Sequence, residues 1–100
     1  MRGAKILVVD DDAAIRTVVT EALRREGCQV LAVGSVAAQA EAMVRFRPDL
    51  LITDVVLPDG DGLDVVPQLL RDYPGLPIIV LSAQNTLTTA VRATENGAFA

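Results

Sequence analysis

Asp10, Asp11 and Asp12 stand in a row directly after the apolar run Lys5-Ile6-Leu7-Val8-Val9. Asp54 directly follows a second such run, Leu50-Leu51-Ile52-Thr53, and Ser82 closes a third, Pro77-Ile78-Ile79-Val80-Leu81. In an open parallel sheet, ligands bind beyond the C-terminal ends of the strands, near the point where strand order reverses. If these three strands are neighbours, several carboxylates and one hydroxyl converge on a single pocket. Carboxylates that close repel one another unless a cation neutralises them. With oxygen ligands only, the expected ion is Mg²⁺, held by a few carboxylates, a carbonyl and waters. A carboxylate beside such an ion is a candidate nucleophile toward phosphorus, giving an aspartyl phosphate, with Ser82 placed to hydrogen-bond a phosphoryl oxygen. The competing explanation is that acidic residues merely finish strands and cap helices, as Asp12 is placed to do for a helix starting at Ala13. The grouping of several acids and Ser82 at strand ends favours a site.

Other chemistries are excluded by what the chain lacks. It has no histidine, so neither imidazole catalysis nor an internal phosphohistidine is available. Cys28 is its one cysteine, which rules out an internal disulfide or a thiolate cluster and suits a core position. The net charge of −4 argues against sequence-independent binding of nucleic acid by this segment. No apolar run approaches the roughly 18 residues that a membrane span needs, and no secretory leader is read at the N-terminus. The expectation is therefore a cytoplasmic protein.

The elements that must position these residues alternate along the whole chain. The first apolar run is a strand. Ile15, Val18, Val19, Ala22 and Leu23 follow helical spacing, with Gly27 as the stop. Cys28 to Val33 reads as a second strand closed by Gly34. Ser35 can cap a helix carrying Val36, Ala40, Met43 and Val44 that ends near Pro48. After the third strand and Asp54, residues 55–60 read as a loop. Asp61 is a candidate N-cap for a third helix carrying Leu63, Val66 and Leu70, with Pro67 past its first turn and bending it. Pro77 to Ser82 forms the fourth strand, and Leu87, Ala90, Val91 and Thr94 mark a fourth helix ending at Gly97. Aliphatic strands separated by helices of this length imply right-handed crossovers and a parallel sheet covered on both faces. Hydrophobic residues make up 51% of the chain and aromatic ones only 3%, so the core must be aliphatic. One α/β domain spanning residues 1–100 is expected.

Three segments now identify a resemblance: Val8-Val9-Asp10-Asp11-Asp12, the stretch from Asp54 through Pro58 to Gly62, and Leu81-Ser82-Ala83. Together they resemble the signature segments of response-regulator receiver domains of two-component signalling. Ala90-Val91, Asn96 and Gly97-Ala98-Phe99 resemble the nitrogen-regulation (NtrC-like) branch. The resemblance implies a flavodoxin-like (CheY-like) doubly wound sheet with strand order 2-1-3-4, and a fifth βα unit that this sequence, ending at Ala100, does not contain. With that unit go a lysine before a proline and an aromatic switch residue. Lys5, the only lysine of the chain, is expected at the opposite end of the sheet and cannot substitute.

Carried over position by position, the resemblance implies that Asp54 is the phosphoacceptor. Asp11 would bind Mg²⁺ directly, Asp10 largely through metal-bound water, and Val56 through its backbone carbonyl. Ser82 would move toward the phosphoryl group, while Asp12 falls on a variable position. The implied partners are a histidine kinase as donor, docking around Arg16 to Arg24, and an output domain of AAA+ ATPase and DNA-binding type. The protein would not be an enzyme in its own right beyond self-phosphorylation from small donors and slow autodephosphorylation. With no fifth strand, the fourth strand or the sheet face beside the first helix would promote self-association. Two other functions stay open. One is an interaction module that keeps the fold without being switched by phosphate. The other is an aspartate-nucleophile phosphohydrolase of the haloacid-dehalogenase type, suggested by Asp10-x-Asp12 but departing from that pattern at Ala14.

Overall fold

The structure is a computed structural model that describes residues 3–81. Strands β1 (Lys5–Val9), β2 (Gln29–Val33), β3 (Leu50–Asp54) and β6 (Ile78–Leu81) form one parallel sheet in the order β2-β1-β3-β6. In sequence order of the main strands this is the expected 2-1-3-4. The helices α1 (Ala13–Arg25), α2 (Val36–Phe46) and α3 (Val66–Asp72) supply the crossovers. Ser82 and the expected fourth helix, with the segment from Ala90 to Phe99, lie outside the described residues.

Alternation along the strands sorts the core into two layers. Leu7, Val9, Leu51 and Ile78 face the layer that holds Ala42 and Met43 of α2 and Val66 and Leu69 of α3. Ile6, Val8, Leu50 and Ile52 face the other, with Cys28 buried among them and Val19 and Leu23 of α1 packed on top. The sheet is thus doubly wound. Its two central strands read as unbroken apolar runs because both of their faces are covered.

Helix ends obey the local rules. Asp12 caps α1, its carboxylate accepting from the N–H groups of Ala14 and Ile15. At the other end Gly27, with φ of 84°, donates to the Arg24 carbonyl while Cys28 donates to that of Leu23. This is a Schellman close, and the burial of Cys28 beside Leu23 is its customary hydrophobic contact. Ser35 caps α2 by accepting from the Ala38 N–H.

Four expectations need correction. Residues 55–60 are not a plain loop: Val56–Leu57 (β4) and Gly60–Asp61 (β5) pair antiparallel in a minimal hairpin. Asp61 caps only a turn, accepting from the Leu63 N–H, and α3 starts later at Val66. Pro67 therefore sits in the first turn of α3, where a missing N–H costs no intrahelical bond and no bend follows. Finally, Val18 and Val44, read on the apolar stripes of their helices, are 66% and 65% exposed. Among the described residues α1 buries none of its side chains fully.

Candidate functional site

The pairing of β1 with β3 sets Val9 beside Thr53, so the residues that leave these strands, Asp10 and Asp54, emerge side by side. Asp10, Asp11 and Asp54 each bring a carboxylate oxygen within 4.8 Å of the others. Asp10 is only 3% exposed. Its Oδ1 accepts from the Asp12 N–H at 2.9 Å, while its carbonyl accepts from Arg16 Nη1 at 2.6 Å. Asp12 is turned away from this group by its capping role. That withdraws the second acid from the Asp10-x-Asp12 pattern on which the phosphohydrolase alternative rested.

Asp54 is held from both sides of its backbone. Its Oδ1 accepts from the Val55 N–H at 2.7 Å, and its carbonyl accepts from the buried Thr53 hydroxyl at 3.0 Å. Burial raises the pKa of its carboxyl above the ordinary aspartate value. Hydrogen bonds from the Val55 and Val56 N–H groups pull it back, whereas the charges of Asp10 and Asp11 add to the rise. Ionised together, the three carboxylates therefore repel one another at a spacing suited to a shared cation. The donor set is all oxygen and contains no nitrogen or sulfur, the preference of Mg²⁺ or Ca²⁺ and not of zinc.

Close packing beneath the acids keeps them in place. A side chain on Gly62 would overlap the Asp54 carbonyl oxygen and press on the Thr53 hydroxyl, and the Gly62 N–H donates to the Val55 carbonyl at 2.7 Å. A Cβ on Gly34 would lie 2.9 Å from Arg16 Nη1. Glycine at 34 thus leaves the guanidinium room to reach the Asp10 carbonyl. Lys5 lies at the other end of the sheet, its Nζ 3.5 Å from the Phe46 carbonyl and over the Phe46 ring, as the sequence led us to expect. Val56 opens β4 beside Asp54 and is largely exposed. Arg16, Gly34 and Thr53 were not singled out from sequence as parts of the site. The one available signal was an arginine in the first turns of the helix that starts beside the acidic run.

Comparison with known proteins agrees with this architecture. The family model described as "Response regulator receiver domain" matches residues 6–100. The chain is 52% identical over 99 residues to the DNA-binding transcriptional regulator NtrC of Azospirillum brasilense, covering 99% of this chain and 21% of that protein. It is 46% identical over 99 residues to NtrC of Rhizobium meliloti, covering 99% of this chain and 20% of the relative. Among solved structures, the beryllofluoride-activated NtrC4 receiver domain dimer superposes with a TM-score of 0.89 at 26% identity, covering 96% of this chain and 79% of that one. The chain belongs to the response-regulator receiver-domain family. Within it, it is a receiver of the NtrC-like two-component regulators. The chain spans about a fifth of the length of these curated relatives.

Proposed function

We propose that Asp54 is the phosphoacceptor of this receiver, taking its phosphoryl group from a histidine kinase. The observation that carries the reading is the convergence of Asp10, Asp11 and Asp54 at the ends of two adjacent central strands. An oxygen of the Asp54 carboxylate attacks the phosphorus, an acyl-phosphate O–P bond forms, and the donor's P–N bond breaks with its electron pair leaving on the imidazole. With a small donor such as acetyl phosphate, a P–O bond breaks instead and acetate leaves. The Val55 N–H, bonded to Oδ1, orients the carboxylate. The Thr53 hydroxyl and Gly62 fix the backbone behind it.

Asp10, Asp11, Asp54 and the Val56 carbonyl would hold Mg²⁺. When bound, the ion would supply positive charge against both the acidic cluster and the incoming phosphoryl oxygens. Ser82 would contact the phosphoryl group. The resemblance and the printed description of the NtrC relatives as DNA-binding transcriptional regulators support an output domain that acts in transcription. We place the protein in the cytoplasm with its kinase. Among the described residues no helix is long and apolar enough to cross a membrane.

The test is an intact-mass measurement after incubation with Mg²⁺ and acetyl phosphate. One phosphoryl group should be added, and Asp54→Asn should abolish it. A label that survives this substitution would overturn the assignment. No label on the unsubstituted chain would instead favour the interaction-module reading.

A further inference from the structure

The hairpin that follows Asp54 is tied down at its tip. Asp59, in the turn between β4 and β5, lays both carboxylate oxygens against the first turn of α2. Oδ1 accepts from the Val36 N–H at 2.7 Å and Oδ2 from the Ala37 N–H at 3.0 Å. Ser35 Oγ takes the next amide, that of Ala38, at 3.1 Å. Gln39 is the first residue whose N–H is satisfied within the helix, by the Ser35 carbonyl at 3.0 Å. Three of the unpaired donors that open any α-helix, those of Val36, Ala37 and Ala38, are therefore filled here, two of them by a side chain from a distant loop. A carboxylate is also the charge that a helix N-terminus favours. The neighbouring Gly60 packs so close that a Cβ there would lie 3.3 Å from Val36 Cγ2.

The hairpin needs such an anchor. It has only two register pairs, Val56 with Asp61 and Leu57 with Gly60, and so short a ribbon has little stability of its own. Leu57 is buried in the core, but Val56 is 61% exposed and gains little there. At the base the Gly62 N–H holds the Val55 carbonyl. At the tip Asp59 and Gly60 meet the N-terminus of α2.

We propose that Asp59 is a positioning residue of the phosphorylation site. By strapping the hairpin tip to the N-terminus of α2, it sets the place of Val56, whose carbonyl is a metal ligand in the function proposed above, on which this inference rests. Helix α2 thereby becomes part of the framework of the site. Because such coupling is reciprocal, a ligand that draws on Val56 also acts on the first turn of α2.

Three variants test the strap: Asp59→Ala, Asp59→Asn and Ser35→Ala. Amide hydrogen exchange over residues 56–62 is read without metal, and affinity is read by titration with Mg²⁺ alone. Asp59→Ala should speed exchange in the hairpin and raise the Mg²⁺ dissociation constant about fivefold, a smaller effect than loss of a direct partner of a ligand. Asp59→Asn removes the charge but keeps one good acceptor, so it should fall between the parent and Asp59→Ala. A purely long-range effect of charge would make the two variants equal. Ser35→Ala takes a cap from the same helix without touching the hairpin. It should lower the melting temperature while leaving hairpin exchange and Mg²⁺ affinity as they were. Unchanged hairpin exchange or unchanged affinity in Asp59→Ala, or an equal loss of affinity in Ser35→Ala, would overturn the proposal. If the parent chain binds no Mg²⁺ at all, the reading of the site fails, and hairpin exchange alone then decides whether the strap exists.

Discussion

In the function proposed, Asp54 carries two opposing demands: it must be ionised to attack phosphorus, yet its surroundings disfavour the charge. Burial and the nearby Asp10 and Asp11 hold its proton more tightly in the folded chain than in the unfolded one. The unfolded state therefore releases that proton first. As pH rises from about the ordinary aspartate value of 3.8 through the higher folded value, this group subtracts stability, and above both values the cost is fully present. Asp54→Asn should accordingly raise the melting temperature near neutral pH in the absence of metal. Added Mg²⁺ should then raise that of the parent chain far more than that of the variant. A variant less stable than its parent under metal-free conditions would show that the cluster is not strained by repulsion. Asp59 shifts the opposite way: the N–H groups of Ala37 and Val36 hold its carboxyl below the ordinary value, so its contribution is lost as pH falls.

At the scale of elements, the segment from β3 to α3 is set by one glycine. Gly62→Ala would drive a methyl group into the Asp54 carbonyl, so either β3 or the following turn must shift. We expect a loss of about 2–3 kcal/mol in a urea melt, together with slower labelling of Asp54. Val18 on α1 offers the contrasting case. Being exposed, it should tolerate Val18→Glu with little change in stability. If the kinase docks on α1, this substitution should slow transfer from the kinase and leave labelling by acetyl phosphate untouched. Equal slowing of both reactions would argue against docking there. Much of this arrangement was legible in the sequence because strand ends announce themselves: an apolar run that stops at an aspartate gives the position of Asp10 and Asp54 along the strand. Gly27 and Ser35 likewise carry local rules that need no tertiary context. The hairpin β4–β5 was not legible, since two-residue strands show no periodicity. The role of Pro67 was misplaced because Asp61 imitates a helix cap while serving only a turn. Asp59 acts across the fold, on α2, and nothing in its local sequence points to that partner, whereas Arg16, six residues from Asp10, was signalled only by its place in the first turns of the helix beside the acidic run.

At the scale of the molecule, the described residues of the doubly wound sheet show an asymmetry between its faces. The layer beneath α2 and α3 is deep, whereas α1 sits on the other with Ile15 and Val18 exposed and no side chain fully buried among the described residues. We propose that two copies of the chain meet on this face or along the edge of β6. Light scattering after size exclusion should show mass rising with concentration, and Val18→Glu should reduce it. A monomer at all concentrations would count against the contact. The strand order also has a consequence for the time course of folding. β1 and β2 are joined by one crossover through α1, and β3 and β6 by another through α3, so each pair closes a comparatively short loop. The seam between β1 and β3 is different: it must wait for β2 and α2 to be passed over before Ile6 can meet Leu50. Since the entropy of closing a loop is lost before its contacts are gained, the two halves should gather first and the seam should limit the rate. Truncating Ile79 on β6, whose pairing with β3 precedes the seam, would then mainly slow folding and leave unfolding little changed, which stopped-flow chevrons can read. The site, with Asp10 and Asp11 on one side of that seam and Asp54 on the other, would be the last part of the fold to come into existence.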